Sequence, residues 1–138
     1  MHNKIPNIFI FTDKYNSEIF TKKNINIGVI YRNYNDGNRE SQLIKIAKAC
    51  KKSRYQLFVS NDLKLAYKFK ADGIYIPSFN KTKKFSNLEK KNIKIIGSAH
   101  TQKEIHKKIT QNCKAIFISP VFYVKKAKGY LNLHKFNY

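Results

Sequence analysis

The chain has 138 residues, about the length of one domain, and 42% of them are hydrophobic, which is enough apolar material for a packed core. No apolar run approaches the ~20 residues of a membrane-spanning helix, and two cysteines without a CxxC pair exclude a disulfide framework and a cysteine-based zinc site. The formal net charge of +20 comes mainly from lysines spread along the whole chain, so it indicates a solvated basic surface more than a nucleic-acid partner.

Six short apolar runs, rich in β-branched and aromatic residues, predict six β-strands. Each run is nearly continuous rather than alternating with polar residues, which is typical of strands buried on both faces of a parallel sheet. The predicted strands are 8–12, 27–32, 55–60, 73–76, 93–97 and 115–119.

Three amphipathic segments between these strands predict helices. The first is 40–52, whose apolar face carries Leu43, Ile44, Ala47 and Cys50. The second is 63–70, with Asn61 or Asp62 as its cap.

The third predicted helix covers 102–111 and begins after Thr101. Glu104 stands three residues after Thr101, which is the spacing of a capping box. We expect Ile105 and Ile109 to face the interior.

Strands that alternate with helices predict right-handed βαβ units and a parallel sheet. Two architectures fit, an open doubly wound sheet and a (β/α)₈ barrel. No GxGxxG motif follows any strand, which weighs against the dinucleotide-binding form of the open sheet. In either architecture the functional site lies at the carboxyl ends of the strands.

Polar residues follow these strand ends. Arg32 is suited to bind phosphate, because its guanidinium can donate two hydrogen bonds to one phosphate group. Asn61 and Asp62 offer oxygen ligands for Mg²⁺. Ser98 is expected to open a helix, where free N–H groups favour phosphate. Asp62 is equally well explained as an N-cap, and His100 as a solvated loop residue.

Six segments, met in order along residues 8 to about 128, resemble one enzyme family. They are Thr12-Asp13 after the first strand, Arg32 after the second, Asn61-Asp62 after the third, Ala71-Asp72-Gly73-Ile74-Tyr75-Ile76, Gly97-Ser98-Ala99-His100-Thr101, and Ser119-Pro120-Val121-Phe122 followed by lysines. The family is that of the thiamine phosphate synthases and the related TenI-like thiazole tautomerases, which share a (β/α)₈ barrel.

The resemblance implies one domain over residues 1–138, a TIM barrel truncated after about six βα units. It implies a transferase that couples an aminopyrimidine diphosphate to a thiazole phosphate and releases diphosphate. The implied diphosphate-binding residues are Arg32, Asn61, Ser98 and Thr101; the Mg²⁺ ligand is Asp62; the catalytic residues are His100, Lys126 and Lys128.

Some family positions differ in this chain. The second acidic metal ligand falls on Asn80, so we expect Mg²⁺ to bind weakly, and the histidine of the fourth strand is Tyr75. Two alternatives therefore stay open. One is a thiazole tautomerase, an isomerase with His100 as general acid and base. The other is a non-catalytic remnant that binds phosphate or a polyanion.

The expected partners are phosphorylated thiamine precursors, with no membrane partner. Because the start of the chain lacks the apolar segment of a secretory signal, we expect a cytoplasmic protein. A barrel that stops after six strands would leave sheet edges and apolar surface open, which predicts either a partner, with a homo-oligomer as one form of it, or marginal solubility.

Overall fold

The computed structural model describes residues 4–23, 26–33, 37–85 and 92–118. The strands are β1 (Ile8–Thr12), β2 (Ile27–Tyr31), β3 (Gln56–Ser60), β4 (Gly73–Ile76), β5 (Lys94–Ala99) and β6 (Ala115–Ile118). The helices are α1 (Arg39–Ser53), α2 (Leu63–Lys68) and α3 (Gln102–Thr110), with a short 3₁₀ turn at Ser17–Ile19. Among the described residues, no helix has the length and apolar character needed to cross a membrane.

The six strands form one sheet in the order β1-β2-β3-β4-β5-β6, and every neighbouring pair is parallel. A doubly wound sheet would reverse its strand order part-way across. The consecutive order therefore confirms the barrel prediction, and the sheet is a half-barrel. Whether residues 1–138 form one domain, and whether the chain forms a homo-oligomer, stay predictions.

The interior of the half-barrel is filled by aromatic and aliphatic side chains from alternate strand positions. The ring of Phe117 on β6 lies 5.0 Å from that of Phe9 and 5.3 Å from that of Phe11, both on β1. These edge-to-face contacts join the first and last strands across the interior. The buried members of this cluster are Ile30, Phe58, Tyr75 and Ile96.

The amino end of the half-barrel is closed by polar contacts. Lys94 Nζ donates to Gln56 Oε1 at 2.8 Å, and Gln56 Nε2 donates to the carbonyl of Lys4 at 2.8 Å. These bonds join the starts of β3 and β5 to the segment that precedes β1.

Helix α1 packs on the outer face of the sheet, but the face that it buries differs from the predicted one. Leu43, Ile46 and Cys50 are buried, whereas Ile44 is 47% exposed. Positions three and four apart share a helix face, so the spacing of Leu43, Ile46 and Cys50 sets the buried stripe.

Helix α3 begins as predicted, but its buried face differs. Thr101 caps it by accepting from Glu104 N at 3.1 Å, and Glu104 Oε1 accepts from His100 N at 2.7 Å. Ile109 is 56% exposed, and the fully buried side chain one position earlier is Lys108.

Candidate functional site

Arg32 lies directly after β2, at the carboxyl edge of the sheet. Its backbone N–H donates to the carbonyl of Thr12 at 2.9 Å, and its guanidinium carbon lies 4.6 Å from the centre of the Phe11 ring. The side chain is exposed, and it forms no ion pair with a carboxylate among the described residues. Arg32 therefore presents its charge to solvent beside the barrel mouth, with the face of the Phe11 ring against its guanidinium.

Tyr75 and Ser98 form a buried hydroxyl pair at the same end of the barrel. Their oxygens share a hydrogen bond that joins β4 to β5. Burial raises the pKa of Tyr75 above its ordinary value, although the bond to Ser98 and the charge of Arg32 both act in the opposite direction. Tyr75 is therefore protonated at neutral pH and acts as a neutral hydrogen-bonding group.

The position of Ser98 corrects one prediction. Ser98 lies inside β5, which runs to Ala99, and does not open a helix. Helix α3 starts four residues later, at Gln102. The group that Ser98 offers at this edge is therefore its hydroxyl, and not the free N–H groups of a helix end.

Asn61 and Asn80 lie together after β3 and β4. Asn61 has a φ of 58°, a left-handed conformation that asparagine tolerates better than most residues. Its N–H donates to the carbonyl of Tyr75 at 2.9 Å, and its Oδ1 accepts from Asn80 Nδ2. The position where the resemblance expects a second acidic ligand is thus occupied by an amide that touches Asn61.

Asp62 is held by two contacts on the outer side of the same edge. Its Oδ1 accepts from Leu65 N at 3.1 Å, which caps α2, and its Oδ2 lies 3.3 Å from Arg39 Nη1. Arg39 Nη2 also donates to the carbonyl of Ser60 at 3.0 Å. The N-cap interpretation of Asp62 is confirmed, and Arg39 supplies a counter-charge that sequence reasoning missed.

A groove of about 650 Å³ runs beside Asp62 between the starts of α1 and α2. It is lined by three basic and two acidic side chains together with Gly37 and Leu65; the charged residues are Arg39, Glu40, Asp62, Lys64 and Lys68. This volume leaves room for a ligand group next to the Asp62 carboxylate.

The described residues offer a limited set of ligands for Mg²⁺. They contain no group of three His, Cys, Asp or Glu side chains that could hold a metal ion. Mg²⁺ bound with a phosphorylated substrate commonly takes only one or two carboxylates from the protein, with water and phosphate oxygens completing its shell. Asp62 fits that mode of binding as a single carboxylate, although it also caps α2 and faces Arg39. The Asn61 amide oxygen is occupied by a bond from Asn80 Nδ2.

The remaining predicted site residues make none of these contacts or lie outside the described part of the chain. His100 follows β5 and is exposed, and Thr101 is occupied as the cap of α3. Lys126 and Lys128 lie outside the described residues.

The two cysteines are not candidates for catalysis. Burial raises the pKa of Cys50 to about 12 and that of Cys113 to about 11. Neither thiol forms the reactive thiolate at neutral pH.

The contacts link Arg32, Asn61 and Ser98 through one residue, Tyr75. Arg32 and Tyr75 both lie against Phe11, the Tyr75 carbonyl accepts from Asn61, and its hydroxyl meets Ser98. Tyr75 was noted in the sequence only as a departure from the family pattern. Tyr75 lies two residues after Gly73 on a buried strand, so both positions face the same side of the sheet. This spacing was the signal in the sequence that could have placed Tyr75 in the site.

Comparison with known proteins gives consistent matches. The family model described as thiamine monophosphate synthase matches residues 18–136. A thiamine-phosphate synthase of Prochlorococcus marinus subsp. pastoris is 30% identical over 123 residues, covering 84% of this chain and 35% of that protein. A solved thiamine phosphate pyrophosphorylase from Pyrococcus furiosus superposes with a TM-score of 0.63 at 16% identity, covering 88% of this chain and 63% of that one.

The chain thus spans about a third of the length of the curated relative and less than two thirds of the solved structure. The structural match supports the barrel-type fold. The family match covers most of the chain, including Arg32, Asn61 and Ser98.

Proposed function

Because the chain belongs to the thiamine monophosphate synthase family, we propose that it acts as a thiamine phosphate synthase-like transferase on phosphorylated thiamine precursors. In the proposed reaction the C–O bond between an aminopyrimidine and its diphosphate breaks, and the bonding pair leaves with diphosphate. The ring nitrogen of a thiazole phosphate then bonds to the pyrimidine-bearing carbon.

The observation that carries this proposal is the exposed guanidinium of Arg32 at the mouth, which forms no ion pair within the described part of the chain and lies near the hydroxyl pair of Tyr75 and Ser98. A guanidinium binds two phosphate oxygens at once. Hydroxyl donors that are held in place stabilise charge as it develops on a leaving oxygen, and they need no reorganisation. Arg32 would therefore bind and orient the diphosphate, while the hydroxyl pair assists its departure.

Asp62 and Asn61 are the residues that would hold Mg²⁺ on the diphosphate. When bound, the ion neutralises charge on the departing diphosphate. Asp62 would have to share its carboxylate with Arg39 and with the cap of α2. This sharing, and the amide at Asn80, support weak metal affinity in the absence of diphosphate.

A second candidate is a tautomerase-like isomerase. It is favoured by the amide of Asn80, which stands where a second acidic metal ligand is expected, and by His100, whose exposed side chain follows β5 while its N–H is held by Glu104. Histidine is the side chain that most often moves protons in general acid and base catalysis. In this candidate His100 would be the general acid and base, and no metal ligand is needed.

The proposal is tested by incubating the purified chain with both thiamine precursors and Mg²⁺ and measuring diphosphate release. Calorimetric titration with Mg-diphosphate then compares wild type with Arg32→Ala. The matched control is Arg54→Asn, which removes one arginine at the other end of the barrel and keeps a residue that tolerates the φ of 63° there. We expect at least tenfold weaker binding by Arg32→Ala alone, and equal affinities would remove Arg32 from the site.

His100→Asn separates the two candidates. A loss of roughly 10²-fold or more in interconversion of thiazole tautomers is typical of a removed general acid or base and favours the isomerase. A small effect on coupling favours the transferase. If neither activity is present and anion binding falls steeply with salt, the chain is a polyanion-binding remnant.

A further inference from the structure

Lys108 is the one lysine on α3 whose side chain is fully buried in the described structure. Its stem runs across Gly97 of β5, where a Cβ atom would lie 2.8 Å from Lys108 Cδ and 3.0 Å from Cys113 Sγ. Only a glycine leaves room for this path. Burial lowers the pKa of Lys108, partly offset by the neighbouring Cys113 and Glu104. A buried cation is costly unless its hydrogen bonds are well made.

The ammonium reaches the loop that follows β4. Lys108 Nζ donates to the backbone carbonyl of Asn80 at 2.9 Å. Gln111, also fully buried, donates to the same carbonyl at 2.9 Å and to the carbonyl of Thr82 at 2.7 Å. Two buried side chains just outside the sheet therefore hold one peptide group at the barrel mouth.

The same peptide carries the side chain that touches Asn61. Asn80 Nδ2 donates to Asn61 Oδ1, and Asn80 Oδ1 accepts from Thr82 N at 2.9 Å. The backbone carbonyl of Asn80 contacts two side chains of the α3 region, while the side-chain amide of Asn80 contacts Asn61 in the candidate site. One residue therefore makes both contacts, so a change in the position of the Asn80 loop alters the contact with Lys108 and the contact with Asn61 together.

We propose that Lys108 and Gln111 are positioning residues that clamp the Asn80 loop, and so hold the Asn61 amide in the orientation that binds the anionic ligand. This inference rests on the proposed function for the identity of the ligand, a Mg-diphosphate group. The geometry of the clamp does not depend on it. Neither Lys108 nor Gln111 touches the ligand.

The first test needs no ligand. Lys108→Met keeps an unbranched stem and removes the ammonium; Lys103→Met, on the exposed side of the same helix, is the matched control for charge. The readout is the ¹⁵N side-chain amide resonance of Asn61, which is linked to Lys108 through Asn80. We expect Lys108→Met to shift and broaden it and Lys103→Met to leave it in place. An unchanged Asn61 resonance in folded Lys108→Met overturns the clamp.

Gln111→Met provides a second route should Lys108→Met fail to fold. It removes the other donor to the Asn80 carbonyl and is expected to change the same Asn61 resonance. No change in Gln111→Met contradicts the proposal.

The second test measures Mg-diphosphate affinity by calorimetry in a double-mutant cycle. Loss of a charge-assisted hydrogen bond that positions the site is expected to weaken binding about tenfold in Lys108→Met. In the Asn80→Ala background the same substitution should have no further effect. An equal loss in both backgrounds shows that Lys108 does not act through Asn80 and overturns the inference. If wild type itself binds no diphosphate, the proposed function fails, and the Asn61 resonance still decides the clamp.

Discussion

Asp62 makes two structural contacts and one proposed ligand contact, and two substitutions separate them. Asp62→Ala removes the oxygen that caps α2 and the carboxylate that faces Arg39. Asp62→Asn keeps an amide oxygen that can accept from Leu65 N, because asparagine caps helices about as well as aspartate. Only the negative charge is then lost.

The expected magnitudes follow from these contacts. Loss of an N-cap costs about 1 kcal/mol. The Arg39–Asp62 pair spans 3.3 Å, and the Asp62 side chain is 33% exposed, so solvent screens much of its attraction. We assign the pair about 0.5 kcal/mol. Asp62→Ala should therefore lower the free energy of unfolding by about 1.5 kcal/mol, and Asp62→Asn by about 0.5 kcal/mol.

Urea unfolding followed by circular dichroism measures both values. Glu40→Gln is the control, because it breaks the Lys68–Glu40 pair, whose side chains are both 57% exposed. Its effect should be at most about 0.5 kcal/mol. If Asp62→Ala costs no more than Glu40→Gln, the assigned cap and ion pair contribute nothing measurable, and the reasoning is refuted.

The same variants test the proposed metal ligand. Both Asp62 substitutions should abolish the dependence of diphosphate affinity on Mg²⁺, although they differ in stability. Retention of the wild-type Mg²⁺ dependence by Asp62→Asn would show that the carboxylate does not hold the ion.

Three further predictions concern the barrel interior and pH. Gly73→Ala should cost about 1–3 kcal/mol or more in urea unfolding, because the new Cβ would clash with the buried ring of Phe58. Tyr75→Phe deprives Ser98 of its hydroxyl partner, and should cost about 1–3 kcal/mol and weaken diphosphate binding in calorimetry. Because burial raises the pKa of Cys50 from 9.0 to about 12, the thiol ionises first in the unfolded chain. Stability should fall above pH 9 by up to about 1.4 kcal/mol per pH unit.

Each of these predictions has a contrary outcome. A Gly73→Ala chain as stable as wild type would mean that the ring moves aside freely. Unchanged stability and affinity in Tyr75→Phe would remove the hydroxyl pair from the site. For the pH effect, Cys50→Ala should show a smaller fall above pH 9, and an equal fall would assign it to other groups.

Local features of this fold could be predicted from the sequence. A continuous apolar run predicts a buried strand, and all six runs became neighbouring parallel strands. The caps at Asp62 and Thr101 were also predicted, since each accepts from a residue three positions later in the chain. Such contacts depend on residue type and spacing alone, so no knowledge of the tertiary structure is needed.

The faces of the helices were less predictable. Ile44 and Ile46 are equally apolar, and only packing against the sheet decided that Ile46 is buried and Ile44 exposed. In α3 the buried side chain is that of Lys108, because its ammonium can donate a hydrogen bond to the carbonyl of Asn80. Hydrophobicity cannot indicate a buried lysine, since its burial depends on a partner 28 residues away in the chain.

The candidate site could be predicted only in part, because its contacts also depend on residues that are distant in the sequence. Arg32, Asn61 and Ser98 were identified from their positions after or near strand ends, but their grouping around Tyr75 required the sheet register. The Tyr75–Ser98 bond spans 23 residues, as does the Arg39–Asp62 pair. Strand alternation and helix capping depend on residues that are close in the sequence. The contacts that position an anion site arise only when parallel strands bring distant residues to one edge of the sheet.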